Sequence, residues 1–292
     1  MAKETAINRD FTAQPAAGSA ALPSVLRGLL EKKHPLVMGV LNVTPDSFSD
    51  GGRFLDPAAA IAQAQRLVAE GADILDIGAE STRPYGDAVA VSADEERARL
   101  AAILPAVVAL GVPVSIDTMK AGVAAWALDT GAAIVNDVWG LQRDPGMAEV
   151  VAEGGCPIVI MHNRESADPA LDIMAEVESF FARSLDIAAR AGIASENIVL
   201  DPGIGFGKTH EQSMIALARL SELGSFGLPL LVGASRKLFI ASVSAAEPHQ
   251  RLGGSIAAHL IAAQGGARII RTHDVAETVQ ALRVAAAIGA KR

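Results

Sequence analysis

The sequence predicts one α/β domain, a (β/α)8 TIM barrel, and three observations carry that prediction. Eight short apolar runs alternate with Ala-rich stretches of helical periodicity. Half of the 292 residues are hydrophobic, which is enough for one large core, and a single barrel of this kind takes about 250 residues. Nearly every apolar run ends in a polar cluster, as expected where strand ends converge on one mouth.

Residues 1–23 are rich in Ala, Gly, Ser, Pro and Gln with little periodicity, so they read as a flexible tail ahead of a barrel domain spanning 24–292. The apolar runs place strands at 36–41, 72–77, 112–116, 132–138, 157–161, 198–200, 228–232 and 267–270. Amphipathic spacing places helices at 57–70, 93–110, 173–191 and 212–223, with a last one at 275–288. Strand–helix alternation implies parallel pairing with right-handed crossovers. Alternation alone also suits an open doubly wound sheet. Eight repeats in one compact length favour closure.

Composition narrows the partners. The net charge is −8 and no basic tract occurs, which argues against a nucleic-acid surface and against anionic lipid. An anionic substrate stays open, because a few placed Arg, Lys and backbone N–H groups hold a phosphate whatever the total charge. Cys156 is the only cysteine, so there is no disulfide framework and no cysteine metal site, and it reads as a core thiol. No apolar run approaches the ~20 residues that cross a bilayer. Lys3, Glu4, Arg9 and Asp10 have no apolar stretch behind them, so no secretory signal is read there. A soluble cytoplasmic protein is the simplest expectation.

The strand-end clusters are Asn42; Asp76; Asp117; Asn136 with Asp137; His162 with Asn163; Asp201; Ser235 with Arg236 and Lys237; and Arg271 with His273. Any one of these is readily a helix cap or a turn residue. Eight in register read as a polar pocket.

Four segments are more specific. They are Asn42-Val43-Thr44-Pro45-Asp46-Ser47-Phe48-Ser49-Asp50-Gly51-Gly52, then Asp76-Ile77-Gly78-Ala79-Glu80-Ser81-Thr82-Arg83-Pro84. Asp201-Pro202-Gly203-Ile204-Gly205-Phe206-Gly207-Lys208-Thr209 follows, and then Gly233-Ala234-Ser235-Arg236-Lys237 with Arg271-Thr272-His273-Asp274. The third segment is neither of two nucleotide motifs that it half matches. Lys208 breaks G-x-G-x-x-G, and Pro202 stands where a P-loop needs its first glycine. In that order the four segments resemble the dihydropteroate synthases, and the resemblance runs from about residue 36 to 288.

The resemblance implies a pterin held deep in the barrel, and the residues suit the task. Asp117 and Asp201 can accept from ring N–H and amino groups, Asn136 can donate and accept, and Lys237 can donate. Met161 would pack on a ring face. Arg271, His273 and Ser235 would take the pyrophosphate, matching the barrel habit of binding phosphate after strands seven and eight. Asn42 would help bind Mg2+, held otherwise by pyrophosphate oxygens and water. The loops 42–54 and 78–91 would be mobile lids over p-aminobenzoate, with Phe48, Thr82, Arg83, Pro84 and Phe206 near it and Ser235 reaching its carboxylate. Asp117, Asp201, Lys237, Arg271 and His273 would carry the catalysis, by neutralising the leaving group and stabilising ring charge. No general base stands out, and a neutral arylamine needs none. Sensitivity to sulfonamides and a homodimer through the late helices follow from the same resemblance.

The chain departs from the family pattern after the fifth strand, at His162-Asn163-Arg164-Glu165-Ser166, and at Ser213, where Asn is usual. Neither lies among the chemical residues. His162 reads equally as a structural hydrogen-bonder or a ligand contact, and His34, His210, His249 and His259 as surface or packing residues. Two rival functions are a pterin-binding methyltransferase, which has no need of the first two motifs, and a catalytically silent pterin binder.

Overall fold

The computed structural model describes residues 25–43, 56–80 and 91–291. Eight strands form a closed barrel in sequence order. They are β1 (Leu36–Asn42), β2 (Ile74–Gly78), β3 (Val114–Asp117), β4 (Ile134–Asp137), β5 (Ile158–Met161), β6 (Ile198–Asp201), β7 (Leu230–Val232) and β8 (Ala267–Thr272). All neighbours are parallel, and β1 closes on β8 with Leu36 opposite Ile269 and Met38 opposite Arg271. The open-sheet alternative is excluded by that last pairing.

Five strands begin later than the apolar runs suggest, β2, β3, β4 and β7 by two residues and β5 by one. At Val114, Ile158 and Leu230 proline is the reason. Pro113, Pro157 and Pro229 have no N–H to give to a ladder, so pairing starts after them. Their carbonyls still accept, from Leu75, Val135 and Leu200 respectively.

The helices are α1 (Val25–Leu30), α2 (Pro57–Ala69), α3 (Ala93–Ala101), α4 (Leu104–Val108), α5 (Ala121–Asp129), α6 (Met147–Gly154), α7 (Ile173–Ala191), α8 (His210–Ala218), α9 (Leu238–Val243), α10 (Leu252–Gln264) and α11 (Val275–Gly289). Caps set several starts: Asp56 accepts from Ala58 and Ala59, Asp172 from Met174 and Ala175, and Thr209 with Gln212 forms a capping box. Two expected helices are interrupted. The 93–110 stretch divides into α3 and α4, because Pro105 cannot continue the hydrogen bonding of the preceding turn. The 212–223 stretch ends as α-helix at Ala218 and tightens into a 3-10 segment, Leu220–Phe226. Leu220 and Leu223 are both fully buried, and three-residue spacing stacks them on one edge of that tighter helix.

Side-chain alternation sorts the barrel into concentric layers. Val37, Leu75, Val135, Ile158, Leu200 and Ile270 point outward and pack under the helices. Met38, Ile74, Ile134, Val159, Val199, Leu231 and Ile269 point inward and form a separate apolar plug, closed at the bottom by Leu26 of α1. Among the described residues no helix is long and apolar enough to cross a membrane.

Candidate active site

The next inward position on each strand lies two residues beyond the plug, about 6.6 Å along the strand. Ile74 gives way to Asp76, Ile134 to Asn136, Val159 to Met161, Val199 to Asp201 and Ile269 to Arg271. Above the apolar plug the same face therefore turns polar. One pocket results, lined by Asp117, Asn136, Met161, Asp201, Lys237 and Arg271, with Val138, Ile204, Phe206 and Gly233 completing the wall. The five residues expected around a pterin all line it.

Arg271 organises the floor. Its Nε donates to Asp76 Oδ2 at 2.6 Å and its Nη2 to Asp117 Oδ2 at 2.8 Å, so the guanidinium spans two carboxylates on β2 and β3. Asn136 Nδ2 donates to the same Asp76 oxygen at 3.2 Å. Burial pushes the Asp117 carboxyl up, to about 7, against the pull of Arg271, and Asp76 adds to the rise. The two carboxylates hold Arg271 cationic, well above its ordinary value and against its own burial. Asp76 Oδ1 and Asp117 Oδ1 are buried without a partner among the described residues. At Asp117, which lines the pocket, that orphan acceptor is what a ligand N–H would satisfy.

In the sequence Asp76 is a strand-end residue like the others, and nothing local marks Arg271, 195 residues on, as its partner. Arg271, expected at the pyrophosphate, is placed deeper than that, between the aspartates. A phosphate contact from it would use its remaining N–H donors.

Asp201 occupies the opposite wall. Its Oδ1 accepts from the Gly203 N–H at 2.7 Å, and burial pushes the carboxyl up to about 6, opposed by that bond and by Lys237, Arg271 and Lys208. Gly203 adopts φ +64, and a Cβ there would lie 1.9 Å from the His162 carbonyl oxygen, so only glycine fits the turn. The turn brings Phe206 into the pocket wall, where the Lys237 ammonium sits 3.9 Å from the centre of its ring. Phe206, expected beside p-aminobenzoate, therefore lines the same pocket as the residues expected around a pterin.

Ser235 Oγ lies 3.0 Å from His273 Nδ1 and accepts from the His273 N–H at 3.2 Å. These residues follow β7 and β8 at adjacent positions on the mouth. Arg236 does not reach into it. Its guanidinium pairs with Asp274, with Nε 3.1 Å from Oδ2, and its left-handed backbone is held by Ser255 and Arg251. Asn42 is half-buried at the end of β1, opposite Gly78. Among the described residues no group of His, Cys, Asp and Glu could hold a metal.

Phe48, Thr82, Arg83 and Pro84 lie outside the described residues, as does the tail 1–23. The stem of the second loop is described. Glu80 Oε1 accepts from the Val91 N–H at 3.1 Å, and Lys120, just beyond β3, binds Glu80 and also Glu96, the latter at 2.6 Å. Sequence reasoning missed this clasp, because nothing local marks Lys120 as a partner of residues 24 and 40 positions away. His162 is structural: fully buried, edge-on to Phe180 and bonded to Lys208. His259 is a packing residue bonded to Thr278, while His34, His210 and His249 are exposed. Burial pushes the Cys156 thiol up to about 11, which leaves it inert. Ser213 is buried and donates to the Thr209 carbonyl at 2.9 Å.

A family model described as pterin binding enzyme matches residues 38–273. The dihydropteroate synthase of Bacillus subtilis (strain 168) is 44% identical over 245 residues, covering 84% of this chain and 85% of that protein. The chain belongs to the pterin-binding enzymes, among the dihydropteroate synthases. The structure of Xanthomonas albilineans dihydropteroate synthase with 4-aminobenzoic acid superposes with a TM-score of 0.84 at 45% identity, covering 88% of this chain and 94% of that one. The same enzyme in complex with 7,8-dihydropteroate gives a TM-score of 0.81 at 43% identity, covering 88% and 95%. The barrel fold is thus shared with solved dihydropteroate synthases, and the methyltransferase rival is set aside.

Proposed function

We infer that this chain condenses 6-hydroxymethyl-7,8-dihydropterin pyrophosphate with p-aminobenzoate, giving 7,8-dihydropteroate and pyrophosphate. The observation that carries the reading is the pocket itself: Asp117, Asn136, Asp201 and Lys237 face one cavity above an apolar floor, a donor–acceptor set matched to a pterin edge. Asp201 takes the ring amino and N–H edge through the carboxylate oxygen not bound to Gly203. Asn136 is held by Asp76, which leaves its amide oxygen for a ring donor. Met161 packs on a ring face.

The methylene C–O bond breaks with its electron pair leaving on pyrophosphate. Asp117 and Asp201 stabilise the positive charge left on the pterin, and Arg271, His273 and Ser235 neutralise the departing oxygens. The arylamine lone pair then forms the C–N bond, and its proton passes to water. Positioning supplies the rest. Phe48, Thr82, Arg83, Pro84, Phe206 and Ser235 are assigned to p-aminobenzoate.

Mg2+ fits this site as a guest of the substrate. Asn42 offers a neutral amide oxygen and no carboxylate cage surrounds it among the described residues, which suits an ion held mainly by pyrophosphate. Bound there, the ion would add positive charge to the leaving group. A homodimer is proposed through α10 and α11, which pack together and expose Ile261, Val284 and Ile288 at 50%, 54% and 60%. A cytoplasmic location is proposed with it, since a single buried thiol offers no disulfide framework.

The test is incubation with the pterin pyrophosphate, p-aminobenzoate and Mg2+, followed by mass detection of dihydropteroate. Pterin binding without product would favour the silent binder instead. Sulfonamides, which mimic p-aminobenzoate, are expected to compete with it and to bind better once pyrophosphate is present. Arg83→Ala should lower turnover by roughly 10² while leaving pterin affinity nearly intact, since mispositioning a reacting group by about 1 Å costs that much. Unchanged turnover and sulfonamide affinity in that variant would remove Arg83 from the second substrate's site.

A further inference from the structure

A buried lysine in the turn after β6 has no part in that chemistry. Lys208 is only 6% exposed, yet its Nζ makes three contacts: with the Gly203 carbonyl at 2.9 Å, the Phe206 carbonyl at 3.1 Å and His162 Nδ1 at 2.6 Å. A buried ammonium is costly unless every donor is used, and this one uses three. The partners belong to the turn after β6 and to the end of β5.

We propose that Lys208 is a positioning residue of the pterin pocket, tying the turn at Gly203–Phe206 to the end of β5 and so aiming both Asp201 and Phe206 into the cavity. The chain of contacts is short. The Gly203 carbonyl is held by Lys208, and the Gly203 N–H fixes one oxygen of Asp201. The Phe206 carbonyl is held by the same ammonium, and the Phe206 ring lies beneath the Lys237 ammonium. Two walls of the pocket thus share one anchor.

The anchor also bears on charge. Burial lowers Lys208 to about 7, Asp201 opposes that shift, Lys237 and Arg164 reinforce it, and Glu176 of α7 opposes it. Burial and the nearby Lys208, Arg164 and Arg183 keep His162 neutral, lowered to about 2, so Nδ1 can accept from the ammonium. Asp201 is faced by Lys237 and Arg271 as well as by Lys208, and all three favour its ionised form. Below about pH 7 the Lys208 charge is present and helps keep Asp201 an acceptor; as pH rises through 7 only its donor N–H groups remain.

The inference rests on the synthase reading, and its test separates the two. Calorimetric titration with 6-hydroxymethyl-7,8-dihydropterin pyrophosphate across pH 5–8 is run on the parent, Lys208→Met and Lys208→Gln, each checked for folding by circular dichroism. In Lys208→Met, affinity is expected to fall roughly tenfold or more, the scale of losing hydrogen bonds to a charged group. The pH below which affinity declines should also rise, by roughly half a unit or more, because an opposite charge near Asp201 is gone. Lys208→Gln keeps amide donors without the charge, so it should recover part of the affinity while keeping the raised pH limit. A folded Lys208→Met with parental affinity would overturn the assignment. So would an equal loss at every pH with the limit unmoved, or failure of both variants to fold, since each makes Lys208 a core residue only. A parent that does not bind the pterin would instead overturn the synthase reading itself.

Discussion

Two layers of one barrel face the same interior and differ by a single step of the pleat. In the lower layer Ile74, Ile134, Val159, Val199 and Ile269 fill space with no polar atom. In the upper layer Asp76, Asn136, Met161, Asp201 and Arg271 stand on the same strands, two residues on. The lower layer is satisfied by its own packing. The upper one is not: Asp76 and Asp117 each keep a buried oxygen without a partner among the described residues. At Asp117, which lines the pocket, a ligand N–H would satisfy that oxygen, so stability and the proposed function divide between two rings of side chains.

The largest expected effect tests that division from above. Asp201→Asn preserves shape but sets a donor against the pterin N–H edge, and a site built to hydrogen-bond its substrate loses on the order of 10⁴ when pairing is wrong. Pterin titration should show the loss while the melting temperature barely moves. A variant that binds normally takes Asp201 out of the site.

Arg271→Met strikes both roles of the upper layer. Losing a preorganised donor to the leaving group costs turnover about 10²–10³. Asp76 and Asp117 would then face each other without their shared cation. The variant should therefore be more stable at pH 5, where Asp117 is protonated, than at pH 8, where it is ionised. Equal melting temperatures at the two values would mean that the pair is not coupled as the geometry indicates.

Ile134→Ala probes the lower layer. An Ile to Ala change in a packed core costs about 2–5 kcal/mol. Denaturant unfolding should report it, and activity per folded molecule should stay within a few fold, because Asn136 above is untouched. A collapse of kcat in folded protein would show that the plug positions the site more tightly than layer separation implies.

The smallest effect is a pH dependence. Asp201, raised by burial from 3.8 to about 6, is an acceptor at both oxygens, with no O–H opposing a ligand donor, only when ionised. Pterin affinity should be full above pH 6 and fall up to about tenfold per unit below it. In the empty enzyme the sign is opposite, because a raised carboxyl pKa means the fold favours the protonated form. That contribution to stability is complete below 3.8 and is lost as pH rises through 6. Melting curves with and without ligand should diverge accordingly.

Much of this was legible in the chain itself. The eight apolar runs are all strands, and Asp117, Asn136, Asp201, Lys237 and Arg271 at their ends converge on one pocket, because a two-residue period and a following turn are local properties. Asp117, Asn136, Met161, Asp201 and Lys237 could be named for one pocket on that basis and by resemblance. Even the late strand starts at Val114, Ile158 and Leu230 follow from prolines present in the sequence.

Partnership was not legible. Arg271 meets Asp76 and Asp117 across 195 and 154 residues, Lys120 meets Glu80 and Glu96, and Lys208 turns inward to His162 rather than outward to solvent. The first depends on which inner positions share a level, set by strand register and by closure of β8 on β1, and the other two on how the turns beyond neighbouring strands meet. Local sequence determines which face a side chain takes. Only the closed barrel determines what stands opposite it, because the energy of a buried charge is decided by its neighbours and not by its own residue type.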